Sequence, residues 1–247
     1  MTRRTKQVLL LAATVLAGAG AAAVAQDATG TYDTSQLPAI HGKVTQYDLT
    51  PRGDVDGLIL DDGTEVHFRP DLGLQVAAIV RPGDTVTIHG LKARVLKLVQ
   101  AMSVTGDASG KTVVDEGPSM GGHRPPHPPG HEPGGNQPMQ AQGVIKMQLH
   151  GPRGDLNGVL LEDGTMVHLP PPEATRLAAE LTAGKMITVH GNGLQNVLGH
   201  VVAAEAIGSD DAHLTRIATP RPRPPHGPDA PGAPVPPPAD PASTPAQ

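Results

Sequence analysis

Two stretches of the chain carry the same alternation of apolar and polar residues. The first is GLILDDGTEVHF, residues 57–68, and the second is GVLLEDGTMVHL, residues 158–169. In each, a short apolar run leads into an Asp-Gly turn and then into alternating residues, a pattern that predicts a β-hairpin. Alternation places Val66 and Phe68 on one face and Glu65 and His67 on the other. We therefore expect the histidine to point away from the core of its domain and to be exposed.

The hairpins belong to a longer internal repeat. Residues 42–90 align without a gap with residues 143–191, and 19 of the 49 aligned pairs are identical. The identities include the PRGD motif that precedes each hairpin. A repeat of this length is a duplicated domain rather than a short solenoid unit. Each copy is long enough to bury a small core of its own.

Each copy shows the same succession of elements. Three strand-like segments come first, then a helical segment with proline near its start, then two more strand-like segments. This order, with the DGT-x-V-H hairpin, resembles the OB-fold superfamily, and in particular the small exported OB-fold modules of bacteria. The resemblance implies two tandem five-stranded Greek-key barrels, a mainly β fold with one short helix in each domain. The alternative is another small β-barrel or a sandwich.

Composition divides the chain into six segments. Residues 106–141 and the C-terminal tail are rich in Pro and Gly or Pro and Ala, which favours segments without a packed core. The predicted organisation is a signal peptide at 1–25, an N-terminal segment at 26–39, an OB-like domain at 40–105, a disordered His/Pro/Gly-rich linker at 106–141, a second OB-like domain at 142–208 and a disordered Pro/Ala-rich tail at 209–247.

The N-terminus has the pattern of an export signal. Arg3, Arg4 and Lys6 precede an uncharged apolar run that ends in Ala23-Val24-Ala25, a small-x-small cleavage site. We expect a periplasmic or secreted protein with no membrane span after cleavage, and a retained anchor is the alternative. The chain has no cysteine, so its domains depend on core packing rather than on disulfides.

Net charge and aromatic content bear on the partner. Cleavage after residue 25 removes three basic and no acidic residues, which moves the formal charge from -5 to -8. This balance disfavours polyanionic partners. The OB-fold resemblance nevertheless keeps single-stranded nucleic-acid binding as an alternative, in which aromatic side chains such as Tyr47 and Phe68 stack on bases. The second copy has Gln148 and Leu169 there, and Phe68 shares the predicted core face.

The PRGD loops are the first candidates for ligand binding. They connect the first and second strands, and OB-folds commonly use this loop to hold ligands. Arginine there can bind a carboxylate or phosphate group, whereas a local Arg-Asp pair that fixes the loop is the alternative. The candidate ligand-binding residues are Arg52, Asp54, Arg153, Asp155, His67 and His168.

Histidines give a second candidate site. His123, His127 and His131 lie four residues apart in the Pro-rich linker, where they could bind divalent metal weakly. His89 and His190 also match between the copies, and we interpret them as surface residues.

No catalytic motif is present in the sequence. It has no nucleophile elbow, no His-Glu-x-x-His, no phosphate-binding loop and no cysteine. We therefore predict a non-enzymatic binding or scaffold protein of the bacterial envelope, without a cofactor. Its partner would be a small ligand or an envelope protein.

Overall fold

The computed structural model describes residues 33–117 and 137–218. They form two closed five-stranded barrels of the same design. The first barrel consists of β1 (Ala39–Leu49), β2 (Val55–Leu60), β3 (Glu65–His67), helix α1 (Gly73–Ile79), β4 (Thr85–Lys92) and β5 (Leu98–Gly106), with 3₁₀ turns at Thr34–Gln36 and Pro70–Leu72. A short strand, β6 (Lys111–Val114), extends it. The second consists of β7 (Gln137–His150), β8 (Leu156–Leu161), β9 (Thr165–His168), helix α2 (Pro171–Arg176), β10 (Met186–Asn196) and β11 (Gly199–Gly208), and β12 (Thr215–Arg216) extends it.

The strand order identifies both domains as OB-folds. In the first sheet the order is β3-β2-β1-β4-β5, and a parallel pairing of β3 with β5 closes the barrel. The second barrel has the equivalent pairings, closed by β9 against β11. The predicted fold class, two tandem five-stranded barrels with one short helix each, is confirmed.

The repeated Asp-Gly-Thr turn fixes each hairpin locally. Gly63 has φ +80°, a left-handed conformation that glycine adopts without strain. The Asp62 carboxylate accepts hydrogen bonds from both the backbone N–H and the hydroxyl of Thr64, at 2.9 Å each. The Asp163 and Thr165 pair repeats the arrangement at 2.9 and 3.0 Å. The turn therefore needs no bound ion to hold its shape.

Two polar side chains, buried Tyr47 and half-buried Gln148, make equivalent hydrogen bonds in the two barrels. The Tyr47 hydroxyl donates to the Val80 carbonyl at 2.7 Å. In the second barrel Gln148 donates to the Leu181 carbonyl at 3.1 Å. Tyr47 and Phe68 are buried in the core, as predicted for Phe68. Gln148 thus replaces the tyrosine in its hydrogen bond.

The barrels pack against each other through the outer faces of their first three strands. In register, Asp48, Gly57 and His67 lie side by side on β1, β2 and β3. The matching residues of the second barrel are Leu149, Gly158 and His168. The histidine is therefore kept, whereas a leucine takes the place of Asp48. Leu149, Leu160, Met166 and Val201 of the second barrel join the hydrophobic cluster of the first.

The contacts between the barrels come in reciprocal pairs. The Leu49 N–H lies 3.3 Å from the Met166 sulfur, and the His150 N–H donates to Glu65 Oε2 at 2.6 Å. At the repeat offset of 101 residues, Leu49 matches His150 and Glu65 matches Met166. The two barrels are therefore related by a local twofold axis.

Parts of the predicted linker are regular structure. Strand β6 and the first residues of β7 lie within residues 106–141, because β5 and β10 provide strand edges on which they pair. Residues 118–136 of the linker and residues 219–247 of the predicted tail lie outside the described residues. None of the helices in the described parts of the chain is long and apolar enough to cross a membrane.

The Tyr47 hydrogen bond can be tested by replacing Tyr47 with Phe. The variant leaves the Val80 carbonyl buried without its donor, so we expect the free energy of unfolding to fall by about 1–2 kcal/mol. Urea unfolding followed by circular dichroism measures this. An unchanged free energy of unfolding would show that the hydroxyl contributes nothing.

Candidate functional site between the barrels

A group of ionisable side chains is enclosed where the barrels meet. Asp48, Glu65 and His67 are 4 %, 3 % and 3 % exposed, and one ligand-type atom from each lies within 4.8 Å of the other two. His67 Nδ1 is 3.9 Å from Asp48 Oδ2, too far for a hydrogen bond. Among the residues that the structure describes, neither ring nitrogen of His67 has a hydrogen-bond partner.

Local sequence explains how these side chains come together. Asp48 and His67 flank Gly57 across three adjacent strands. A Cβ at Gly57 would lie 2.5 Å from the Val66 carbonyl oxygen and 2.9 Å from Asp48 Cβ, so only glycine fits between them. Glu65 lies two residues before His67 on the same face of β3.

The second barrel completes the enclosure with two histidines. His150 donates its backbone N–H to Glu65 Oε2 at 2.6 Å, and its Nδ1 lies 2.8 Å from Glu65 Oε1. His168 Nε2 donates to the Leu49 carbonyl at 2.7 Å. Among the described residues, the hydrogen-bond partner of the Glu65 carboxylate is thus His150, a residue of the second barrel.

Burial favours the neutral forms of Asp48, His67 and His168. Burial, reinforced by the carboxylates of Asp56 and Glu65, raises the pKa of Asp48 well above its ordinary value. Burial lowers the pKa of His67 against the opposing influence of Glu65. It likewise lowers the pKa of His168, although the bond to the Leu49 carbonyl partly offsets this. The imidazoles of His67 and His168 are therefore neutral at neutral pH, the form that can bind metals.

The expectation that His67 is exposed is wrong. Its side chain does point away from the interior of its own barrel, as alternation predicts. The second barrel covers it, so it is buried. His168 is only partly buried, and its bond to the Leu49 carbonyl spans the same contact.

The PRGD loops also lie at the contact between the barrels. A Cβ at Gly53 would lie 2.7 Å from the Leu194 side chain, and one at Gly154 would lie 3.2 Å from that of Leu96. Each loop therefore touches the β4–β5 or β10–β11 hairpin of the other barrel. The side chains beside these glycines, Arg52, Asp54, Arg153 and Asp155, are exposed.

The predicted alternative of a local Arg-Asp pair has no support in the described residues. No described carboxylate lies within 4.0 Å of Arg52 or Arg153. Backbone bonds close the first loop instead, from Thr50 N–H to the Asp54 carbonyl and from Gly53 N–H to the Thr50 carbonyl, at 2.8 Å each. The arginines and aspartates are thus available to solvent.

The remaining candidate histidines do not join the enclosed group. His89 Nδ1 lies 3.1 Å from the Leu37 carbonyl, and His190 Nε2 lies 2.8 Å from Asp211. His123, His127 and His131 fall outside the described residues. Sequence reasoning missed Asp48, Glu65 and His150 as site residues. Their signal was the contrast between copies, because Leu149, Met166 and Leu49 occupy the matching positions.

Comparisons with known proteins do not show a family for this chain. No protein-family model and no curated protein matches the chain. The crystal structure of the wild-type single-stranded DNA binding protein from Thermus aquaticus is 14% identical, covers 75% of this chain and 94% of that chain, and has a TM-score of 0.20. A deletion mutant of the same protein is 15% identical, covers 74% and 95%, and has the same TM-score of 0.20. The assignment of the fold rests on strand order.

The protonation of Asp56 gives a test of the electrostatics near this group. Burial raises the pKa of Asp56 to about 7. Below about pH 3 the carboxyl is protonated in both folded and unfolded chains and costs nothing. As pH rises from about 4 to 7, only the unfolded chain releases the proton, so the folded state loses stability.

Replacing Asp56 with Asn, the residue that the second copy has at position 157, removes this cost. We expect Asp56→Asn to raise the free energy of unfolding at pH 8 by roughly 2–4 kcal/mol and by much less near pH 4. Thermal and urea unfolding across this range measure the difference. The matched control is Asp155→Asn, an exposed surface substitution that should change the free energy of unfolding by about 0.5 kcal/mol or less. A gain at pH 4 as large as that at pH 8 would contradict the assignment.

Proposed function

We propose that this chain is an exported, non-enzymatic binding protein of the bacterial envelope, in which the two OB barrels act as one unit. The observation that carries the proposal is the packing of the two outer strand faces against each other. OB-folds commonly bind ligands on strands 2 and 3 and on the loops beside them. Here the opposite barrel covers that face, so ligands have access to its rim.

The rim is basic on one side only. Lys92, Arg94 and Lys97 lie at or beside the exposed β4–β5 hairpin. Leu96 of this hairpin meets Gly154, so Arg153 lies at the same rim. We name these four residues the basic rim. Val95 at its tip is 93% exposed, which adds an apolar contact. A cationic rim of this kind on an acidic protein favours an anionic ligand or an acidic segment of a partner protein.

The opposite rim has a different character. There Arg52 faces the β10–β11 hairpin, whose residues 192–199 include no lysine or arginine. Val197 at the tip is fully exposed. The duplication therefore supplies an internal control, since the two PRGD loops are alike and their surroundings differ.

A second candidate function is binding of single-stranded nucleic acid, and the basic rim is the observation that favours it. The two Thermus aquaticus structures are of single-stranded DNA binding proteins. Base stacking would need exposed aromatic side chains. In the described residues Tyr47 and Phe68 are buried, so binding at this rim would be mainly to phosphate. Such binding weakens steeply with salt.

The ligand class can be tested on the chain from residue 26 to 247 with two anionic probes, an oligoglutamate peptide and an oligothymidylate. We expect shifts of the amide NMR signals of residues 92–97, Arg153 and Gly154 with the peptide. Arg153→Ala should weaken this binding by up to about fivefold, because an exposed charge pair contributes about 0.2–1 kcal/mol. Arg52→Ala is the matched control and should leave it unchanged.

The other possible results distinguish between the candidate ligands and test the position of the site. Shifts with the oligothymidylate alone, lost between low and moderate salt, would favour the nucleic-acid function. Equal effects of Arg52→Ala and Arg153→Ala would contradict a site at the basic rim. Absence of shifts with both probes would remove the anionic ligand from the proposal.

The predicted location has its own test. Expression of the full chain in a bacterium should yield a periplasmic protein whose first residue is Gln26, because the small-x-small site ends at Ala25. Cell fractionation with intact-mass measurement determines both. A full-length chain found in the membrane fraction would instead support a retained anchor. Mutation of Ala23 and Ala25 to bulky residues should block cleavage without changing either barrel.

A further inference from the structure

The fold does not explain the acidic face of the first barrel. The second barrel builds the same contact with Leu149 and Met166 at the positions of Asp48 and Glu65. Leu149 and Met166 are each 1 % exposed and pack in the shared cluster. Two carboxyl groups in an apolar contact are costly unless they are paired. His150 pairs with Glu65, whereas Asp48 faces His67 Nδ1 only at 3.9 Å. Their presence therefore calls for a ligand or a function.

His67 provides an independent observation at the same place. Its side chain is 4% exposed, and its Nδ1 faces Asp48 Oδ2 at 3.9 Å. Both ring nitrogens lack hydrogen-bond partners among the described residues. Burying a hydrogen-bond donor and an acceptor without partners costs free energy, and a ligand that binds there can offset that cost.

We propose that Asp48, Glu65 and His67 form a binding site for one divalent transition-metal ion of the zinc class, enclosed by the second barrel. One imidazole nitrogen and two carboxylate oxygens are ligand types that zinc accepts. The imidazole disfavours calcium and magnesium, which take oxygen ligands. The ion would offset the negative charge that the two carboxyl groups carry once they are deprotonated to bind it.

The distances fit such an ion after small side-chain movements. Zinc binds imidazole nitrogen and carboxylate oxygen at about 2.0–2.2 Å, so two ligand atoms on the same ion are separated by at most about 4 Å. The three candidate atoms already lie within 4.8 Å of one another. Gly57 leaves the space between Asp48 and His67 clear of a side chain.

His150 acts as a positioning residue from the second barrel. Its N–H and ring hold both oxygens of Glu65, at 2.6 and 2.8 Å. Each carboxylate oxygen has a second lone pair that remains able to bind a cation. Partners of this kind orient metal ligands and commonly affect affinity 10–100-fold. The ion would thus be bound more tightly when the barrels are packed together, and it would in turn stabilise their contact.

The test uses the chain from residue 26 to 247, stripped of metal with a chelator and titrated with Zn²⁺ by calorimetry and with Co²⁺ by absorption spectroscopy. We expect one tight ion per chain and a rise in melting temperature with added zinc. X-ray absorption should show a single imidazole among oxygen ligands. The double variant Asp48→Leu/Glu65→Met, which copies the second barrel, should lower affinity by more than about 100-fold.

Matched variants separate this site from the linker histidines and from effects on folding. Replacing His123, His127 and His131 together with Ala should leave the tight ion in place. His150→Leu, which introduces the residue at position 49, should weaken binding about 10–100-fold without changing the number of ions. Should the double variant fail to fold, His67→Gln serves in its place, with amide NMR spectra to establish that both barrels are intact.

Three results would overturn the proposal. Tight zinc binding that persists in a folded double variant would place the ion elsewhere. Loss of the tight ion in the linker variant would assign it to the linker. A chain that binds no zinc at micromolar concentration, or whose melting temperature zinc does not change, would leave Asp48, Glu65 and His67 as a structural cluster only.

Discussion

The structure depends on the burial of two outer strand faces against each other. In a small barrel, one face of each strand packs in the interior, and the other face is normally exposed to water. Here Ile59, 1 % exposed, and Leu160, 0 % exposed, belong to outer faces and are as buried as core residues. This contact places the PRGD loop of the second barrel beside the basic β4–β5 hairpin. It also buries His67 and leaves only the rim accessible to ligands. Separate barrels joined by a long tether would have none of these properties.

The contact is also chemically unequal on its two sides. The second barrel contributes leucine and methionine. The first contributes two carboxyl groups and a histidine whose ring nitrogens have no hydrogen-bond partner in the described parts of the chain. Apolar packing holds the barrels together at Leu149, Leu160 and Met166, while His150 reaches across to Glu65. The acidic group therefore lies beside a dry contact, where its electrostatic interactions are stronger than they would be in water.

Much of the fold was predictable from the sequence, and the site was not. The order of elements, the Asp-Gly turn and the core position of Phe68 follow from local patterns, because they depend on residues close in the chain. Alternation also assigned His67 to the outer side of β3 correctly. Whether an outer side chain is exposed depends on what packs against it, and Glu65 meets His150 85 residues further along the chain. No local pattern reports a contact at that separation. In the sequence, only the difference between the two copies at positions 48 and 65 indicated this contact.

The reciprocal contacts across the local twofold axis have a consequence for how such a chain can change. In a homodimer with an isologous interface, every substitution appears twice, and a carboxylate placed near the axis meets its own copy. Two copies joined in one polypeptide are free of that restriction. One half can keep Met166 to hold the contact while the other replaces its counterpart with Glu65. Fusion thus lets a symmetric dimer acquire a single polar site, which no symmetric pair of identical subunits can build off its axis.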